Sequence, residues 1–161
     1  MRESLADRPL ANGFFISRLE LPPAILEWVV ARDWNALDQA FAKETSRGGV
    51  VFEELTRFAS FTQIEFTISI RSSQTEPDED GIWHDDGSRV LAFSLSLTLD
   101  TAVLEGGVLE IRKFGESGSS RIPTPEYGTL IVFATGQQGF EHKINRVARG
   151  ERLIIAGWCT P

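Results

Sequence analysis

The chain has 161 residues, is 42% hydrophobic with eleven Phe and four Trp, and scatters its 24% charged residues along its length. Such a composition builds one apolar core and excludes a disordered or low-complexity chain. A net charge of −7 and a pI near 4.9 speak against a broad phosphate-binding surface, which needs an excess of Lys and Arg, so nucleic acid is not an expected partner.

No apolar stretch approaches membrane-spanning length, and residues 1–10 lack a basic segment followed by an apolar one. Cys159 is the single cysteine and cannot form an intrachain disulfide, which is compatible with a reducing compartment. The expectation is a soluble cytoplasmic protein with no membrane contact. A single domain over 1–161 is expected, with an N-terminal support over 1–63 and a β core over 64–161.

Residues 14–21 (FFISRLEL) read as a short strand, and Pro22 and Pro23 supply the fixed φ tolerated at a helix start. A helical region follows, because Ile25, Leu26, Val29, Val30, Trp34, Leu37 and Phe41 recur at three- and four-residue steps. Ile25, Val29, Leu37 and Phe41 are its expected buried face, and Gly48 and Gly49 end the pattern. From Ile64 the period changes to two: Ile64, Phe66, Ile68 and Ile70 alternate with Glu65, Thr67, Ser69 and Arg71, a strand with one dry face. Residues 74–81 form an acidic loop carrying Glu76, Asp78, Glu79 and Asp80, either simply solvated or a lid favouring a cationic substrate. Further strands are expected over 89–99, 108–112, 129–134, 143–147 and 152–158, with 115–120 a flexible loop. Several short strands at regular spacing indicate a sandwich or barrel.

The chain has two histidines, and both lie beside features a metal site needs. His84 and Asp86 are two apart, so in extended backbone their side chains leave the same face while Asp85 points to the other. His142 precedes the 143–147 strand, and a barrel can return it to the first pair. Two imidazoles and one carboxylate form the facial triad of non-haem Fe(II) oxygenases, which leaves three coordination positions open. An H-x-D triplet by itself is an ordinary feature of solvated loops, and Asp85 competes with Asp86 if the backbone turns sharply before Gly87.

The context adds a resemblance. The runs H-D-D-G-S-R-V-L-A-F-S-L-S-L-T, G-G-V-L-E-I-R, G-T-L-I-V-F and H-K-I-N-R-V-A-R-G-E-R-L-I-I-A-G-W resemble the core of the prolyl-hydroxylase-like 2-oxoglutarate/Fe(II) dioxygenases, over roughly residues 64–158. The resemblance implies a mainly β fold, a double-stranded β-helix of the jelly-roll or cupin kind with supporting N-terminal helices. It implies Fe(II) on His84, Asp86 and His142, with 2-oxoglutarate as co-substrate and ascorbate as a possible auxiliary. It makes Arg152 the cation for the distal carboxylate, a task suited to its planar fork. Many relatives add a Tyr on the strand after H-x-D. Here that position falls on Ser96, whose shorter hydroxyl reaches less far.

The function implied is hydroxylation of a protein side chain such as peptidyl proline, or of a small molecule, with no catalytic residue beyond the metal site. Nucleic-acid demethylases carry a second arginine six residues after the first, where this chain has Trp158. Two alternatives stand beside this reading: a non-catalytic metal-binding β-helix interaction domain, and a cupin-like metalloenzyme that does not use 2-oxoglutarate. Trp83 and Trp158 are expected as wall or core residues. Gly106 and Gly107 are expected as a turn.

Overall fold

A computed structural model describes residue 10, residues 12–75 and residues 81–161. Its elements run β1 (Phe14–Arg18), α1 (Pro23–Ala31), α2 (Trp34–Glu44), α3 (Val50–Leu55), β2 (Gln63–Ser72), β3 (Leu91–Ser96), β4 (Glu105–Gly106), β5 (Leu109–Lys113), β6 (Ser120–Ile122), β7 (Thr129–Phe133), β8 (Phe140–Ile144), β9 (Val147–Arg149) and β10 (Glu151–Thr160). The strands pair antiparallel in a five-stranded sheet of order β1-β7-β3-β10-β2, a three-stranded sheet β6-β5-β8 and a ribbon β4-β9. The fold is mainly β, a jelly-roll with helices added at its N-terminal end.

Period-two side-chain alternation sorts this chain into two cores. Leu91, Phe93, Leu95 and Leu97 of the β3 segment, Leu130 and Val132 of β7, and Leu153, Ile155 and Cys159 of β10 face the helices, together with the apolar side of β2. The helices answer with Ile25, Val29, Leu37 and Phe41, all 5% exposed or less. Each such side chain contributes on the order of 1.5–3 kcal/mol when fully covered. The intervening residues Ala92, Ile131 and Phe133 turn the other way and meet Leu109, Ile111, Ile122 and Phe140 in a second cluster. The opposite faces of β2 and β10 therefore look into the space between the sheets.

Local chemistry explains where the elements depart from the sequence pattern. The expected helical region is two helices, because Arg32 adopts a left-handed conformation (φ 54°) and Asp33 then caps α2, accepting from the Ala36 N–H at 3.1 Å. Gly48 and Gly49 do not end the helical region. A Cβ on Gly49 would lie 2.3 Å from the Glu44 carbonyl oxygen, so glycine lets the chain fold back tightly into α3. The nearly buried Glu44 carboxylate accepts from the Val50 N–H at 2.9 Å and caps that helix. β1 stops at Arg18, short of residue 21. β6 begins at Ser120, at the end of the expected loop, and its three residues are too few to show alternation. β8 starts at Phe140, so His142 lies within a strand whose buried positions, Phe140 and His142, alternate with Glu141 and Lys143.

Among the described residues no helix is long and apolar enough to cross a membrane. The acidic positions 76–80 of the expected lid lie outside the described residues. Cys159 is fully buried, and burial pushes its thiol up to about 12, so the nucleophilic thiolate is scarce. Native protein at pH 8 is expected to resist a thiol-labelling reagent and to react promptly in denaturant. Comparable labelling rates in the two conditions would contradict this placement.

Candidate metal centre

His84 and His142 face each other as a single antiparallel bridge, exchanging both backbone hydrogen bonds: His84 N–H to His142 O at 2.9 Å and the reverse at 2.8 Å. Opposed residues of this kind project their side chains on one face, and the two rings stand 4.1 Å apart at 64°. Asp86 reaches them by a route the sequence pattern did not foresee. It is not extended but left-handed (φ 57°) and is followed by Gly87 at φ 47°, a conformation Asp tolerates better than most residues. Asp85 is turned away by the same bend. Its carboxylate accepts from the Gly87 N–H at 2.8 Å, its carbonyl from the Gly136 N–H at 2.8 Å, and its side chain packs where a Cβ on Gly136 would sit. The backbone does turn at the position feared, yet Asp86 is the carboxylate beside the histidines.

Asp86 Oδ2 lies 3.3 Å from His142 Nε2, and Asp86 Oδ1 lies 3.9 Å from His84 Nε2. One ligand atom from each residue falls within 4.8 Å of the others, and among the described residues this is the one such cluster of three. His84 Nδ1 sits 3.1 Å from the Ile82 carbonyl. Donation there places the free lone pair on Nε2, toward Asp86. His142 is 4% exposed, and burial, then the neighbouring His84, lowers its pKa to about 3. It is therefore a neutral imidazole, the form that ligates. Burial also raises the Asp86 pKa, against the pull of His84, the Trp158 indole and Arg89. The 3.3 Å contact is not aligned as a hydrogen bond, and both Asp86 Oδ2 and His142 Nδ1 are buried without one. Two imidazoles and a carboxylate converging in this way, with Asp86 Oδ2 left without a hydrogen bond, fit a divalent cation, with a donor set suited to Fe(II).

The histidines open onto a cavity of about 210 Å³. Thr67, Ser69 and Arg71 of β2 form one wall, and Arg152, Ile154, Ala156 and Trp158 of β10 form the next, with Ser94, Phe133, Leu109 and Ile144 around them. Arg152 is 3% exposed and donates from Nε to Thr124 Oγ1 at 3.0 Å. Thr124 in turn donates to the Gly107 carbonyl at 3.3 Å. Burial, then the charge of Arg71, lowers the Arg152 pKa to about 10, which still leaves it protonated at neutral pH. Gly107 (φ 67°) makes room for this side chain, since a Cβ there would lie 2.9 Å from Arg152 Cδ and 3.0 Å from Val147 Cγ2. The glycine pair is thus more than a turn.

Ser96 does not take the place the sequence comparison gave it. Its hydroxyl donates to the Pro125 carbonyl at 2.6 Å and accepts from the Thr98 N–H at 3.2 Å, and Ser94, two residues earlier, lines the cavity instead. Arg71 and Thr124 went unassigned in the sequence. For Arg71 the signal was present, because the polar half of the 64–71 alternation is the cavity wall. Trp158 lines the cavity, whereas Trp83 lies outside it beneath Arg112 and Lys143, whose charged ends are 3.8 and 4.8 Å from its ring centroid.

The model of the 2OG-Fe(II) oxygenase superfamily matches residues 70–160. No curated protein matches the sequence. Among solved structures, the chain is similar to a prolyl hydroxylase from Trichoplax adhaerens, solved with a hypoxia inducible factor oxygen degradation domain peptide fragment (14% identity, 98% of this chain and 87% of that chain, TM-score 0.64). It is similar to a Pseudomonas putida prolyl-4-hydroxylase (16% identity, 93% and 89%, TM-score 0.57) and to an oxidoreductase of the 2OG-Fe(II) oxygenase family from Burkholderia pseudomallei (13% identity, 97% and 74%, TM-score 0.54). At such identities these likenesses establish the fold alone.

Proposed function

The chain belongs to the 2OG-Fe(II) oxygenase superfamily, and from that premise we propose that it is a hydroxylase that holds Fe(II) on His84, Asp86 and His142 and 2-oxoglutarate on Arg152. The observation that carries the reading is a cluster of two histidines and a carboxylate with ligand atoms within 4.8 Å of one another, whose histidines line the same cavity as a buried arginine. When bound, Fe(II) with 2-oxoglutarate and O₂ supplies an oxidation that yields succinate, CO₂ and a hydroxylated substrate.

The chain's own residues position and shield. Three protein ligands leave coordination positions open, unlike a closed structural site. Thr124 orients the Arg152 fork for two parallel charge-assisted bonds to a carboxylate. Ile154, Ala156 and Leu109 line the cavity with apolar surface and limit water. A carboxylate at Asp86 favours hydroxylation over halogenation. The proposed substrate is a protein side chain such as peptidyl proline, or a small molecule, and the proposed compartment is the cytoplasm.

With Fe(II), ascorbate and O₂ supplied, purified protein is expected to convert 2-oxoglutarate slowly to succinate without substrate, and faster with one. Proline-containing peptides and free amino acids form the screening panel, with His142→Ala as the blank. Iron binding with neither 2-oxoglutarate affinity nor succinate above the blank would replace this reading with a non-catalytic metal-binding domain.

A further inference from the structure

Directly opposite Arg152 in the β10–β2 register stands Arg71, and both residues line the cavity that holds the histidines. Opposed residues in an antiparallel pair lie about 4.5–5.5 Å apart with side chains on one face, and like charges so placed repel. The register thus brings two arginines to one wall of the cavity, beside the neutral Thr67 and Ser69. Thr124 fixes the Nε of Arg152, which sets the direction of its fork.

A carboxylate reached by both side chains would meet two cations at once, and Arg is the side chain whose planar fork matches carboxylate geometry. The charge of Arg71 is one of the causes that hold the Arg152 pKa down, as expected of groups that sense each other. Ser96, which the family resemblance makes a second donor, is committed to Pro125. Arg71 stands on the strand hydrogen-bonded along the other edge of β10.

We infer that Arg71 and Arg152 form a two-arginine clamp for a carboxylate, with Arg71 the second cation on the anion that Arg152 holds. The proposed hydroxylase reading supplies only the identity of that anion as the distal carboxylate of 2-oxoglutarate. A carboxylate of the oxidised substrate has the same chemistry and is the other source.

The test compares 2-oxoglutarate with 2-oxobutyrate, which lacks the distal carboxylate, by calorimetry on Mn(II)-loaded protein. Wild type is expected to prefer 2-oxoglutarate by at least about a thousandfold, Arg152 supplying about a hundredfold or more and Arg71 a further tenfold. Arg71→Gln is expected to cut that preference by at least about tenfold, and Arg71→Lys by less, since Lys keeps the charge without the fork. A substrate source predicts instead an unchanged ratio, with Arg71→Gln losing any preference for amino acids over their carboxamides in stimulating succinate formation. Both properties remaining at wild-type values would overturn the clamp.

Phenylglyoxal labelling of wild-type protein, read by peptide mass, is independent of how the variants fold. Protection of Arg71 by 2-oxoglutarate or by glutarate supports the clamp, and full labelling in the presence of each of them, at saturating concentration, overturns it. Wild type that forms no succinate would remove the hydroxylase reading, while glutarate protection of Arg71 in metal-free protein would still decide the clamp.

Discussion

Asp86→Ala is expected to remove Fe(II) binding, whereas Asp85→Ala is expected only to weaken it. Asp86 Oδ2 is buried without a hydrogen bond, 3.3 Å from His142 Nε2, so its deletion takes away the one anion among the three converging groups. Asp85→Ala removes the carboxylate that accepts from the Gly87 N–H but keeps the backbone carbonyl that accepts from the Gly136 N–H, so it loses only a supporting bond of the kind typically worth roughly 10–100-fold in metal affinity. The Asp86 variant should exceed that range. His84→Ala and His142→Ala should behave like Asp86→Ala. Anaerobic Fe(II) titration reads the affinities, and circular dichroism checks that each variant remains folded. Thermal unfolding gives a second reading, because metal at 100 times its Kd stabilises by about 2.7 kcal/mol, a gain wild type should show and Asp86→Ala should lack. Iron retained in Asp86→Ala but lost in Asp85→Ala would transfer the ligand role, and retention in both would end the triad.

That choice of carboxylate shows how residue order and backbone geometry carry different information. The spacing of His84, Asp86 and His142 singles them out, but the reasoning that extended backbone aligns His84 with Asp86 does not describe the chain. The bend at Asp86 is made by an Asp–Gly step and by contacts to Gly136, 50 residues onward in sequence, and no local pattern contains that partner. The buried faces of α1, α2 and β2 were legible because each repeats one period against one core. α3 was not, since its cap depends on Glu44 reaching across a glycine turn. Ser96 and Arg71 mark the same divide within the cavity. Alignment along β3 cannot tell which hydroxyl faces open space and which meets Pro125, while Arg71 acquires its neighbour only through the pairing of β2 with β10.

Arg152→Ala is expected to abolish 2-oxoglutarate binding while leaving Fe(II) affinity near wild type. Arg152 is buried and protonated, with its Nε on Thr124 Oγ1, so it offers a desolvated, oriented cation to an anionic ligand. Two charge-assisted hydrogen bonds at about 1.5–3 kcal/mol each amount to roughly 10²- to 10⁴-fold in affinity. None of the three metal-directed side chains bonds to Arg152, which is why the two affinities should separate. Calorimetry with 2-oxoglutarate on Mn(II)-loaded protein and a parallel Fe(II) titration measure the two quantities side by side. Loss of both affinities together, with a drop in thermal midpoint, would make Arg152 a structural residue. Unchanged 2-oxoglutarate affinity in the variant would remove Arg152 from the co-substrate site, and wild type that binds metal but no 2-oxoglutarate would favour a cupin-like metalloenzyme that does not use this co-substrate.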